Sequence, residues 1–214
     1  MKKTLILLVI IFTQVIDIQS QAKILYNKVD SICLSNNYDL CQSLDFNRFL
    51  VHKNGLEYIA DSSGLVVIDL SKYKNLIYYG FKNGLTPVKD KLSSKYGYID
   101  RDGNLIIPHK FDSASGFRDS LAVVRIKGKS GIINLDQKEI IPIAYENIEF
   151  PINNKMPVQI NGLYGIMDMQ GLMLIEPKYS KISSRLGALF LLEDNEGKII
   201  LNSLTLEESS GKYQ

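Results

Sequence analysis

Asp100 and Asp102 crowd Gly103 in the stretch YGYIDRDGNLIIP, residues 96–108, and two carboxylates beside a glycine could hold a divalent cation or share acid–base work. An acidic calcium loop needs oxygen ligands at alternating positions and a distant bidentate glutamate. After Asn104 the chain runs straight into LIIP, so that ligand set is missing. His52 and His109 are the only histidines, and neither lies near a Gly-x-Ser-x-Gly nucleophile motif. Both are expected to be ordinary surface side chains. The glycines sit between short runs of strand type, not between strand and helix, so no phosphate loop of the Walker or dinucleotide kind is present. No catalytic residue, metal site or cofactor is assigned, and the chain is expected not to be an enzyme.

Cys33 and Cys41, in SICLSNNYDLC, are the only cysteines. In an oxidising compartment such a pair is expected to form a disulfide, with the turn-prone SNNYD bringing its ends together. One continuous helix would hold the two about 12 Å apart. Disulfide and uninterrupted helix therefore exclude each other.

The compartment is suggested by residues 1–22. Lys2 and Lys3 precede an apolar run from Leu5 to Phe12, and a more polar segment follows that ends in small residues. That is a signal peptide in outline, cleaved after Ala22 or after Ser20. A spanning helix needs about 20 apolar residues, and Gln14 and Asp17 interrupt this run early. The expected location is export: periplasm, cell envelope or the exterior. Lys and Arg number 25 against 23 Asp and Glu, and losing Lys2, Lys3 and Asp17 leaves one net positive charge. Nothing in that balance suggests nucleic acid or anionic lipid as a partner, and no later segment is apolar enough to span a bilayer.

The elements that would position Asp100 emerge from a repeat. Thirty-four residues after YGYIDRDGNLIIP comes SGIINLDQKEIIP, and after thirty-four more YGIMDMQGLMLIEP. Gly97, Gly131 and Gly165 are equivalent, as are Asp100, Asn134 and Asp168, with Asn202 continuing the series. Gly103 and Gly171 recur, and so do Pro108 and Pro142, with Pro177 displaced by one residue. NGLEYIADSSGLVVID, Asn54 to Asp69, is a drifted first copy with Asp61 and Gly64 in the places of Asp100 and Gly103.

Each unit alternates short Ile-, Val- and Tyr-rich runs with Gly, Asn, Asp and Pro, which is the pattern of β-strands and tight turns. About three strands are expected per unit. Because acid is exchanged for amide at the Asp100 position, its expected role is to accept hydrogen bonds from a turn backbone, which Asp and Asn do equally. A lone hairpin is marginal in water, so Ile99, Leu105, Ile107, Val123 and Ile126 need neighbouring units to cover them. The expected fold is all-β: β-hairpin or meander repeats stacked as an open, solenoid-like array. A closed propeller is disfavoured because its blades usually need about 40 residues or more. The expected division is a signal peptide over 1–22, an N-terminal cap with a short helix over 23–48, the repeats over 49–206 and a polar tail over 207–214.

An aromatic residue, Gly, an apolar pair and Asp, then Gly, apolar residues and Pro, then Tyr or Phe with an acid, then Leu-Ala-x-Val: this pattern resembles the WG-containing repeat of bacterial proteins. It covers about Gly84 to Asn202 and, through the drifted copy, reaches back to about Phe49. The family's tryptophan is replaced by Tyr96, Ser130 and Tyr164. The resemblance implies a β-rich interaction or scaffold module with a protein partner, and transfers no catalytic residue. One segment departs from the repeat: YKNLIYYGF, residues 73–81. Its rings Tyr73, Tyr78, Tyr79 and Phe81 are the candidate binding surface, for a protein or for a glycan. The competing reading packs such rings between repeats.

Overall fold

The computed structural model describes residues 27–45, 47–74, 80–185, 189–193, 197–202, 204–206 and 208–210. The expected signal segment lies outside the described residues. A helix, α1, occupies residues 27–36, and among the described residues every later regular element is a β-strand. The first sheet comprises β1 (Leu40–Asp45), β2 (Arg48–Lys53), β3 (Leu56–Ala60) and β4 (Val66–Asp69), and the second β5 (Tyr73–Lys74), β6 (Thr86–Asp90), β7 (Tyr96–Ile99) and β8 (Leu105–Phe111). The third is β9 (Ser113–Ala114), β10 (Leu121–Ile126), β11 (Lys129–Asn134) and β12 (Glu139–Tyr145); the fourth is β13 (Asn147–Ile148), β14 (Lys155–Ile160), β15 (Leu163–Asp168) and β16 (Met173–Tyr179). The fifth is β17 (Lys181–Arg185), β18 (Leu189–Glu193), β19 (Lys198–Asn202) and β20 (Glu208–Ser210). Each sheet is a four-stranded antiparallel meander in chain order.

The all-β repeat reading holds, with three corrections. A unit of thirty-four residues carries four strands, not three, because the first strand of each middle sheet is only two residues long. The expected cap over 23–48 already contains β1, which pairs with β2. The expected polar tail begins in β20, which pairs with β19.

The core is divided among the interfaces between sheets. Neighbouring residues on a strand point to opposite faces, so each central strand serves two interfaces. In β7, Ile99 packs with Leu50, Ile59 and Ile68 of the first sheet, while Tyr98 packs with Phe117, Ala122, Val124 and Ile133 of the third. In β11, Ile133 faces back and Ile132 forward, toward Met156, Val158 and Met167. In β15, Met167 faces back and Ile166 forward, toward Phe190, Leu192 and Leu201. Burying an aliphatic or aromatic side chain contributes about 1.5–3 kcal/mol, and here that gain is available only when two sheets meet. Among the described residues no core cluster and no strand ladder joins the first sheet to the fifth.

The first sheet's outer face is closed by α1, where Ile32 is buried against Phe49, Val51 and Ala60. The helix ends at Asn37, whose φ of 56° turns the chain back, with Tyr38 N–H donating to the Cys33 carbonyl at 3.1 Å. That reversal carries Cys41 onto β1, with its Cα 5.7 Å from that of Cys33, and the two form a disulfide. Helix and disulfide coexist because the helix stops between the cysteines. Tyr38 Oη also donates to the Gly64 carbonyl at 2.7 Å, tying the cap to the β3–β4 turn.

Gly97, Gly131 and Gly165 stand opposite a widened strand. Tyr96 pairs with Phe111 and Tyr98 with Ile107, so one residue of β7 faces three of β8, including Pro108. The same count recurs for Ser130–Tyr145 with Ile132–Ile141, and for Tyr164–Tyr179 with Ile166–Ile175. The bulged strand lies over the glycine: a Cβ at Gly97 would sit 2.5 Å from the Ile107 carbonyl oxygen, at Gly131 2.7 Å from that of Ile141, and at Gly165 2.4 Å from that of Ile175. Glycine and proline thus belong to one device. The glycine leaves room for the excess chain, and proline, lacking an N–H, tolerates a place where the ladder is interrupted. Leu105, expected to be covered by a neighbouring unit, is 46% exposed instead, because it lies on an outermost strand.

Candidate functional site

Asp100 is occupied by its own turn. Its carboxylate accepts hydrogen bonds from the N–H groups of Asp102 and Asn104 and from the Asn104 side chain, each at 2.9 Å. The series repeats this role. Asp61 accepts from the N–H groups of Ser63 and Leu65, Asn134 from Lys138, Asp168 from Gln170 and Leu172, and Asn202 from Leu204. Partial burial raises the Asp100 carboxyl, but the bonds from Asn104 and Asp102 outweigh it and hold the group below its ordinary value. Asp102 forms an ion pair with Arg48 at 3.3 Å, and the Arg48 guanidinium also donates to the Arg101 carbonyl, stitching the second sheet to the first. Among the described residues no group of three or more His, Cys, Asp and Glu side chains could hold a metal ion.

The candidate aromatic surface is corrected. Tyr73 is 6% exposed and Phe81 4%, and both lie in the core between the first two sheets with Leu50, Ile68 and Val88. The apolar rings are worth more in that interface than in water, so the packing reading describes them; Tyr78 and Tyr79 lie outside the described residues. His109 is also not an ordinary surface side chain. The β8 bulge folds it inward, its ring centroid 5.8 Å from that of Tyr73, and its Nε2 is buried without a hydrogen-bond partner. His52, on β2, keeps its Nε2 3.8 Å from a Glu57 carboxylate oxygen.

A different region forms the concave site. The connections between first and second strands of the second, third and fourth sheets meet around a cleft of about 780 Å³. Phe117, Val123 and Ile148 line it with apolar surface; Lys82, Asn83, Arg118, Asp119 and Glu149 bring polar groups. Lys82 and Arg118 are equivalent positions, each the first residue of a tight turn bridged back by Leu85 or Leu121. Asn83 and Asp119 follow them with φ of 51° and 49°. The fourth sheet's turn departs from the pattern: Ile152 stands in the bridge position, and Phe150 takes up the space beside Arg118, whose guanidinium lies 4.5 Å from the ring centroid. Ser120 N–H reaches the Asn83 side-chain oxygen at 3.4 Å, linking two of the turns.

The floor is held firmly. Tyr98, fully buried, packs its ring against Phe117 with centroids 4.9 Å apart and planes tilted by 54°, and donates its hydroxyl to the Ser115 carbonyl at 2.8 Å. Burial pushes the Tyr98 hydroxyl pKa well up, so it remains a donor throughout the physiological range. Ser115 Oγ accepts from Val123 N–H at 3.0 Å. The sequence signal for this site was present in the recurring GFKNGL and GFRDSL, residues 80–85 and 116–121, whose charged third residues no turn requires.

Sheet order, core and turns together define an all-β repeat protein of blade-like four-stranded meanders. Direct comparison agrees with the resemblance: the WG containing repeat matches residues 96–129 and 131–164, a stretch running from β7 into β15. No curated protein matches the sequence. Among solved structures, Hsv2p of Kluyveromyces lactis is 14% identical with a TM-score of 0.48, over 78% of this chain and 62% of that one. A eukaryotic initiation factor is 13% identical with a TM-score of 0.49, over 79% and 53%. Dihydro-heme d1 dehydrogenase NirN is 12% identical with a TM-score of 0.45, over 81% and 46%. The chain thus spans less than two thirds of the length of each of these structures. No helix among the described residues is long and apolar enough to cross a membrane.

Proposed function

We propose that this protein is an exported, non-enzymatic scaffold or interaction module that works in the bacterial envelope or outside the cell by binding another protein. The observation that supports this reading most directly is the use made of the recurring residues. Asp61, Asp100, Asn134, Asp168 and Asn202 are engaged in their own turns. Gly97, Gly131 and Gly165 make room for a neighbouring strand. What remains for a partner is the cleft built from the first connections of three sheets, a preformed concave surface on a rigid repeat scaffold. Export is supported by the charged-then-apolar N-terminal segment and by the Cys33–Cys41 disulfide, a bond that persists in oxidising compartments. The test is a crosslinking pull-down of tagged full chain from separated envelope and medium fractions. Recovery of a specific crosslinked protein in one of them is expected; residence in the cytoplasm, or turnover of a substrate by the purified chain, would overturn the reading.

A further inference from the structure

We propose that the cleft between the second, third and fourth sheets docks an extended peptide segment of the protein partner, one carrying a carboxylate side chain next to an apolar one. This rests on the protein-interaction reading above and gives it a place and a chemistry.

The cations come first. Lys82 and Arg118 occupy equivalent turn positions and line the same cleft. Among the described residues neither forms an ion pair. The Arg118 guanidinium carbon lies 4.5 Å from the Phe150 ring centroid. Arg118 is exposed, and a guanidinium held against a ring can still present N–H groups to a carboxylate through two parallel hydrogen bonds.

The acids decide between anions. Asp119 and Glu149 line the same cleft, again in no ion pair among the described residues. A polyanion such as nucleic acid would meet them with repulsion. A peptide would not, because its backbone N–H groups are donors that Asp119 and Glu149 can accept, while a single carboxylate reaches Lys82 and Arg118. The floor supplies the apolar subsite: Phe117 and Ile148 are nearly fully buried, Phe117 held by Tyr98 and Ile148 by the core between the third and fourth sheets. Such a floor needs no reorganisation on binding, which saves ordering entropy. A volume of about 780 Å³ lies within the usual range of ligand pockets, about 300–1,000 Å³, and has room for a few residues of extended chain.

The experiment pans a random heptapeptide display library on the full chain and measures selected peptides by fluorescence anisotropy. Sequences with Asp or Glu beside Phe, Leu or Ile are expected to be enriched. Replacing the peptide's acid by its amide, or using the Lys82→Ala/Arg118→Ala double variant, is expected to weaken binding at least about tenfold. The variant's unfolding midpoint should hold, because both side chains are exposed; the gentler Arg118→Lys keeps the charge but loses the fork, and should weaken binding as well. Enrichment of peptides without a carboxylate, affinity indifferent to both variants, or binding abolished by millimolar inorganic phosphate would each overturn the assignment. A pull-down with the double variant separates the two levels. If it still recovers the wild-type partner, the cleft assignment falls while the interaction reading stands; if the wild-type chain recovers none, the interaction reading falls.

Discussion

The first sheet and the three that follow it solve the same packing problem differently. In the second, third and fourth sheets, a single glycine on the third strand faces three residues of a widened fourth strand, with Pro108, Pro142 or Pro177 in the bulge. In the first sheet the equivalent positions hold Tyr58 and Asp69, and they pair directly, with Ile59 on Ile68 beside them. All four sheets keep a smaller irregularity near the start of the fourth strand, opposite Ala60, Ile99, Ile133 and Met167. Between the third and fourth strands, what differs is the glycine device. It appears and disappears as a unit, which teaches that glycine and proline in this repeat answer one steric demand and are not two separate preferences.

The largest expected effect breaks that unit. In Gly165→Ala the new methyl would lie 2.4 Å from the Ile175 carbonyl oxygen and 2.9 Å from the Pro177 nitrogen, both backbone atoms that side-chain rotation cannot relieve. Gly97→Ala meets the Ile107 oxygen at 2.5 Å. Each is expected to cost about 3 kcal/mol or more, at the upper end of overpacking effects, read as a fall in the urea midpoint. Tyr58, the equivalent position in the first sheet, already carries a side chain that packs half-buried beside Phe49, Val51 and Ala60, so Tyr58→Phe is expected to cost less than either. Comparable losses at Tyr58 and Gly97 would break the comparison.

The first sheet compensates for lacking the device with a cap. Its Phe49, Val51 and Ala60 are covered by α1, and the disulfide fixes that helix across eight residues of sequence separation. Cys33→Ala/Cys41→Ala is expected to lose about 2–3 kcal/mol, the entropy of a short closed loop. Because repeat arrays lose cooperativity across their length, the loss should appear as hydrogen-exchange protection falling in β1–β3 while β10–β15 keep theirs. Uniform loss along the chain would mean that the cap governs the whole row.

Tyr98 sharpens the contrast among the middle sheets. It stands where Ile132 and Ile166 stand in the next two, and it alone of the three adds a hydroxyl, donated to the Ser115 carbonyl at 2.8 Å. Tyr98→Phe is expected to cost about 1–2 kcal/mol, leaving a buried carbonyl without its partner, and to loosen the cleft floor. Unchanged stability would show that another donor, such as water, takes the place of the hydroxyl.

Much of this was legible in the residues. The period of thirty-four, the turn role of Asp100 and its equivalents, the disulfide and the interface-borne core all follow from spacing and residue type. The fourth strand per unit was not legible: β9 and β13 are two residues long, too short for alternation to register. The aromatic surface was misplaced because burial depends on which sheet arrives next. Tyr73 and Phe81 depart from the repeat in sequence yet fill its first interface. His109 was read as exposed because its equivalents are Ile143 and Lys178, whereas the bulge turns it inward. The cleft escaped notice because its residues come from three units, and no single copy contains enough of it to suggest a site.

The smallest expected effect concerns the turns, where the copies differ only in acid or amide. The Ser63 hydroxyl and then the Ser63 N–H hold the Asp61 carboxyl below its ordinary value, and the Asp100 carboxyl is likewise low. A group whose pKa is depressed by folding contributes stability that is present above its unfolded value, near pH 4, and is lost as pH falls through the folded value. Asn134 and Asn202 make the same kind of bond without titrating. Between pH 5 and pH 2, protection of the Leu65 and Asn104 N–H groups should therefore fall more than that of Lys138. Asp100→Asn should abolish that acid sensitivity at its own turn with little change at neutral pH, whereas Asp100→Ala should cost about 1 kcal/mol at neutral pH and less at pH 2, where the wild-type carboxylate has itself lost its contribution. If Lys138 lost protection in step with Leu65 and Asn104, acid would be acting on the row as a whole, and the turns could not be counted as independent copies of one device.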